Sequence, residues 1–119
     1  MLSKDYTYGT STLDATKSAP IDCAGATMIA LQTTVAGTTV IVTPQVSQDK
    51  VNWVQQQTFD LTAASGTVKT TKSQNYTLVK DDLLGLPCAG FKYARLLYVS
   101  GTGPATVLAT PQHDSRGTV

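Results

Sequence analysis

Residues 39–47 show the cleanest hydrophobic pattern in the chain: Val40, Val42, Pro44 and Val46 alternate with Thr39, Ile41, Thr43, Gln45 and Ser47. A period of two predicts a β-strand with one face in a core and the other largely wet. Pro44 has no N–H for a sheet ladder, so an edge strand or a bulge is expected there. Gln48-Asp49-Lys50-Val51 then turns the chain, and residues 52–59 return antiparallel with Trp53 beside the turn. A second segment, residues 91–110 (FKYARLLYVSGTGPATVLAT), reads the same way. It predicts a strand over 91–100, a hairpin loop over 101–104 and a last strand over 105–110.

The rest of the chain follows similar rules. Residues 27–34 (TMIALQTT) predict a buried strand, ended by a turn at Ala36-Gly37. Residues 60–75 alternate small and polar side chains around Ser65-Gly66, which suits a hairpin or surface loop before a strand at 76–79. Leu83-Leu84-Gly85-Leu86 is the one stretch where a helical turn is expected. The total is about seven or eight short strands at sandwich-like spacing. The expected fold is therefore all-β: a two-sheet antiparallel β-sandwich, jelly-roll-like as first choice and immunoglobulin-like as second.

Three regions are expected. Residues 1–22 are polar, with Tyr6, Tyr8 and Leu13 as apolar anchors, and read as an extended N-terminal arm with one short strand near 11–16. Residues 23–110 form the sandwich, and 111–119 a flexible C-terminal tail.

Composition supports the all-β reading. All eight acidic residues are Asp, so the helix-favouring Glu is missing, while Thr supplies about one residue in six. The formal net charge is +1 and the only arginines are Arg95 and Arg116. Nucleic-acid partners normally meet a clustered basic surface, so none is expected. The longest apolar stretch, 26–31, is too short to span a bilayer, and no membrane partner or signal peptide is expected.

Candidate chemistry is sparse. His113 lies in the tail, and Asp81 and Asp82, adjacent on an extended chain, would point to opposite faces; capping of the turn at Leu83 is the expected role. Asp49, Asp60 and the Asp81-Asp82 pair lack the dense oxygen-ligand pattern of a calcium loop. Gly101-Thr102-Gly103 precedes a strand where a phosphate loop would precede a helix. No nucleophile, base and orienting group converge, so no enzyme activity, metal or cofactor is expected. Trp53, Tyr93 and Tyr98 could stack on a sugar ring; the favoured expectation is that Trp53 and at least one of the tyrosines fill the sandwich core, with polar tips at its margin. Cys23 and Cys88 are expected as free, buried thiols. The order Cys23, Trp53, Cys88 is that of an immunoglobulin domain, yet the spacing is wrong and Leu86 stands where a tyrosine corner would have Tyr.

The segment Val46-Ser47-Gln48-Asp49-Lys50-Val51-Asn52-Trp53 resembles a strand-turn-strand element of β-sandwich modules in which Ser, Asp and Trp frame the turn. Gly often follows the Asp; here that residue is Lys50. Phe91-Lys92-Tyr93-Ala94-Arg95-Leu96 looks like its partner strand, with an aromatic residue before an Ala-Arg pair. Discoidin-like domains use this pairing but are longer and carry apolar loop spikes. At this length and composition, residues 40–110 are similar to small structural proteins of tailed-bacteriophage virions, such as head decoration or cement proteins. That resemblance implies a non-enzymatic protein on the virion capsid surface, made in the host cytoplasm. It would bridge neighbouring copies of the major capsid protein, itself as a homo-oligomer with a trimer favoured. No site residue carries over from the resemblance; the polar N-terminal arm itself offers Tyr6, Tyr8 and Leu13 as candidate partner-binding anchors. The alternative is a carbohydrate-binding or adaptor module of a phage tail or baseplate, with Trp53, Tyr93 and Tyr98 as sugar platforms.

Overall fold

The structure, a computed structural model, describes residues 4–8, 20–23, 25–35, 38–61, 68–70, 75–102 and 104–112. These form eleven strands: β1 (Lys4–Tyr8), β2 (Ile21–Asp22), β3 (Met28–Val35), β4 (Thr38–Ser47), β5 (Trp53–Gln55), β6 (Thr58–Asp60), β7 (Val68–Thr70), β8 (Tyr76–Thr77), β9 (Leu83–Pro87), β10 (Tyr93–Thr102) and β11 (Ala105–Gln112). They build two antiparallel sheets, one in the order β1-β11-β3-β9-β6-β7, the other in the order β2-β10-β4-β5, with β8 also on β4. Setting β6, β7 and β8 aside as an insertion leaves eight strands in two four-stranded sheets, β1-β11-β3-β9 and β2-β10-β4-β5. That is jelly-roll connectivity, the first of the two expected topologies.

Alternation explains why the sheets face each other. Ile29 and Leu31 of β3, Leu84 and Leu86 of β9, and Val107 and Ala109 of β11 are buried from one side. Val40, Val42 and Val46 of β4 and Ala94 and Leu96 of β10 are buried from the other. Register makes the layers coincide: Leu31 stands opposite both Leu84 and Ala109, and Val46 opposite Ala94. Burial of these side chains supplies the main favourable term in folding, about 25 cal/mol per Å² of apolar surface.

Several expectations change. Residues 83–86 are not a helical turn but strand β9, because alternate residues Leu84 and Leu86 enter the core while the backbone pairs with β3 and β6. Residues 91–110 are not a hairpin: β10 pairs with β4 and β2, whereas β11 pairs with β3 and β1, so the chain changes sheet between them. Pro44 sits inside β4, neither on an edge strand nor at a register shift, and its carbonyl accepts the N–H of Gln56 at 3.0 Å. In a strand, a residue's N and O point the same way, so the missing N–H faces the break between β5 and β8 and no ladder bond is lost.

The expected arm, residues 1–22, contributes β1 and β2 to the two sheets. The short strand expected near 11–16, Leu13, and residues 113–119 of the expected tail lie outside the described residues.

Candidate functional site

The outer face of the smaller sheet is less wet than alternation suggests. Thr43, Gln45 and Ser47, the polar side of β4, are all buried, Ser47 to 1% exposure. Register places Trp53 on one side of Ser47 and Tyr93 on the other, and Gln55 and Arg95 on either side of Gln45. Two rows of polar and aromatic side chains thus cross three strands.

The turn between β4 and β5 fixes one end of this surface. Ser47 Oγ donates to the carbonyl of Asn52 at 2.6 Å and accepts the N–H groups of Asp49 and Lys50 at 3.1 and 3.0 Å. Asp49 Oδ1 accepts the N–H groups of Val51 and Asn52, each at 2.8 Å, and Oδ2 accepts the Asn52 side-chain amide at 2.8 Å. Bonds from the Asn52 and Val51 backbone, then the Asn52 side chain, hold the Asp49 carboxyl well below the usual carboxylate range. Lys50 adopts φ 65°, the left-handed conformation that explains why Gly often follows the Asp in such turns. The Trp53 indole N–H closes the turn on the carbonyl of Lys50 at 3.1 Å.

Cations cover both rings. The Arg95 guanidinium lies 4.0 Å from the Trp53 centroid and its Nε donates to Gln45 Oε1 at 2.7 Å. Lys50 Nζ lies 4.6 Å from the Tyr93 centroid. Partial burial lowers the Arg95 pKa by penalising its charge. Beside Tyr93 opens a cleft of about 480 Å³ whose lining includes Asp22, Thr27, Gln48, Phe91 and Lys92.

The structure therefore brings Trp53 and Tyr93 together and separates Tyr98 from them. Tyr98 packs against the core, and its hydroxyl donates to the Gly101 carbonyl at 2.6 Å. Tyr6 and Tyr8 lie in β1, opposite Val107 and Ala105 of β11. The surface residues that sequence reading missed are Gln45 and Lys50. Gln45, a long polar side chain mid-strand two positions before Ser47, was the available signal. Among the described residues, no cluster of three or more His, Cys, Asp or Glu could hold a metal ion, and no helix is long and apolar enough to cross a membrane. Asp82, expected to cap the turn at Leu83, accepts the hydroxyl of Tyr76.

No protein family description matches this sequence, and no curated protein matches it. Among solved structures, the crystal structure of the SPBc2 prophage-derived protein YomS is similar in fold. The TM-score is 0.61 at 11% identity, with 92% of this chain and 93% of that chain covered.

Proposed function

We propose that this chain is a non-enzymatic structural protein of a tailed-phage virion that binds the outside of the capsid and bridges neighbouring major capsid subunits. The observation that carries the reading is the likeness to a prophage-derived protein over nearly the whole of both chains. The site adds support. Ser47, Asp49, Trp53 and Arg95, the most distinctive side chains, are engaged with one another in a turn and a stack, as a scaffold would have them. Cementing by distributed contact suits such a scaffold, because modest contact per copy adds up over many copies. A homotrimer is the favoured assembly.

Co-sedimentation of the purified protein with intact capsids tests the reading. Saturable binding at hundreds of copies per particle, with raised capsid melting temperature, is the expected result; binding at tail-like stoichiometry of six to a few dozen copies, or none, overturns it.

A second reading, a carbohydrate-binding or adaptor module of a tail or baseplate, draws on Trp53 and Tyr93 sharing one face beside the cleft. Glycan-array binding that disappears in a folded Trp53→Ala variant would favour it.

A further inference from the structure

Cys23 and Cys88 begin two matching sequences, Cys23-Ala24-Gly25-Ala26 and Cys88-Ala89-Gly90-Phe91. In each, the N–H of the residue three beyond the cysteine bonds to the cysteine carbonyl, Ala26 to Cys23 at 2.8 Å and Phe91 to Cys88 at 2.9 Å. Gly occupies the third position in each, at φ 78° and 83°, where a side chain would be strained. The turns also clasp one another reciprocally. Cys23 N–H donates to Lys92 O at 2.9 Å, and Cys88 N–H donates to Thr27 O at 3.0 Å, in each case the residue four beyond the partner cysteine. A local two-fold relation results, with the cysteines at its centre.

Both thiols are completely buried, and the neighbouring Cys88 together with burial pushes the Cys23 thiol up. The Cys88 thiol donates to the Ala26 carbonyl at 3.3 Å. Cys23 follows β2 of the smaller sheet and Cys88 follows β9 of the larger one, so the contact spans the sandwich. Gly25 and Gly90 line the open cleft beside Tyr93, which brings solvent up to both turns.

We propose that Cys23 and Cys88 form a redox-sensitive staple, free while the surroundings are reducing and joined as an inter-sheet disulfide when the protein meets a small peroxide. The reciprocal backbone bonds hold the two cysteine-bearing segments against one another, which is where the bond would close. One cysteine, as thiolate, attacks the peroxide and the other resolves the product. The thiolate attacks one oxygen of hydrogen peroxide, breaking the O–O bond to give a sulfenic acid and hydroxide, which takes up the proton that cysteine released and leaves as water. The other cysteine's sulfur then attacks the sulfenic sulfur, its proton leaving with the displaced hydroxyl as a second water. In sum, two thiols lose two electrons, one peroxide is reduced, and one S–S bond forms. The staple closes a loop between cysteines 65 positions apart, and is independent of what the protein binds.

The test treats the folded, full-length protein with hydrogen peroxide and follows denatured thiol titre, non-reducing peptide maps and melting temperature. Loss of both thiols, a Cys23–Cys88 linked peptide, and a melting-temperature rise on the order of 10 °C that dithiothreitol reverses are expected. Cys23→Ala and Cys88→Ala variants should show no such rise. Retention of both thiols, overoxidation of one cysteine alone, or cross-links only between chains overturns the proposal, and this readout on the unaltered protein stands even if a variant fails to fold.

Discussion

Arg95 is held between Trp53 and Gln45, its guanidinium 4.0 Å from the indole centroid and its Nε 2.7 Å from Gln45 Oε1. One side chain therefore ties β10 to β4 and β5 across the outer face. Replacing it by Ala removes the stack and leaves the nearly buried Gln45 oxygen without this donor. The expected loss is about 2–3 kcal/mol of stability, read by urea denaturation with a shift in Trp53 fluorescence. Arg95→Lys keeps the charge but not the planar fork, and should lose roughly half as much.

Ser47 serves the turn as donor and double acceptor while almost wholly buried. Ser47→Ala orphans the N–H groups of Asp49 and Lys50 together with the Asn52 carbonyl. Water can reach the exposed side of the turn, so the expected loss is about 1–2 kcal/mol, with the fold retained by circular dichroism.

Asp49 gives the protein an acid sensitivity of definite sign. Its carboxyl normally titrates at 3.8 and is held well below that in the fold, so the folded state favours the charged form more than the unfolded chain does. The contribution is complete above the ordinary value and is lost as pH falls through the depressed one. Melting temperature should thus begin to fall below about pH 4. An Asp49→Ala variant should be less stable than the natural protein at neutral pH, and the difference should shrink on acidification. A difference that grows toward low pH would refute the assignment.

The sandwich was legible because β4 keeps strict alternation and β3 and β10 fall within two residues of their expected spans. What misled was information held between strands. Leu83-Leu84-Gly85-Leu86 has helix-favouring leucines, and only pairing with β3 and β6 makes it extended. Residues 91–110 have hairpin composition, yet the partners of each strand lie far off in sequence. Likewise the polar side of β4 looks wet in sequence; Arg95, Asn75 and the Ser47 turn cover it only once folded, Thr43 Oγ1 reaching Asn75 Oδ1 at 2.6 Å. The Ser47-Asp49-Trp53 element was visible through its resemblance to a strand-turn-strand element of β-sandwich modules, and its bonds are local. The two Cys-Ala-Gly sequences were not read as related, and their clasp joins residues far apart in the chain.

Two glycines separate local crowding from backbone necessity. A Cβ on Gly85 would meet Met28 Sδ at 2.5 Å and Leu61 Cδ2 at 3.1 Å, both ends of side chains that can rotate away. A Cβ on Gly101 would instead fall on the backbone carbonyl of Thr39, which is held in the sheet opposite β10, and Gly101 sits at φ 118°, a conformation nearly closed to other residues. Gly85→Ala should therefore lose about 1–2 kcal/mol. Gly101→Ala, which must break the β4–β10 pairing or strain the chain, should lose roughly 2–4 kcal/mol. Paired urea titrations decide it: equal losses at the two positions would mean that β10 can shift past β4 near Gly101, and the register Gly101 opposite Val40 would not be a fixed feature of the fold.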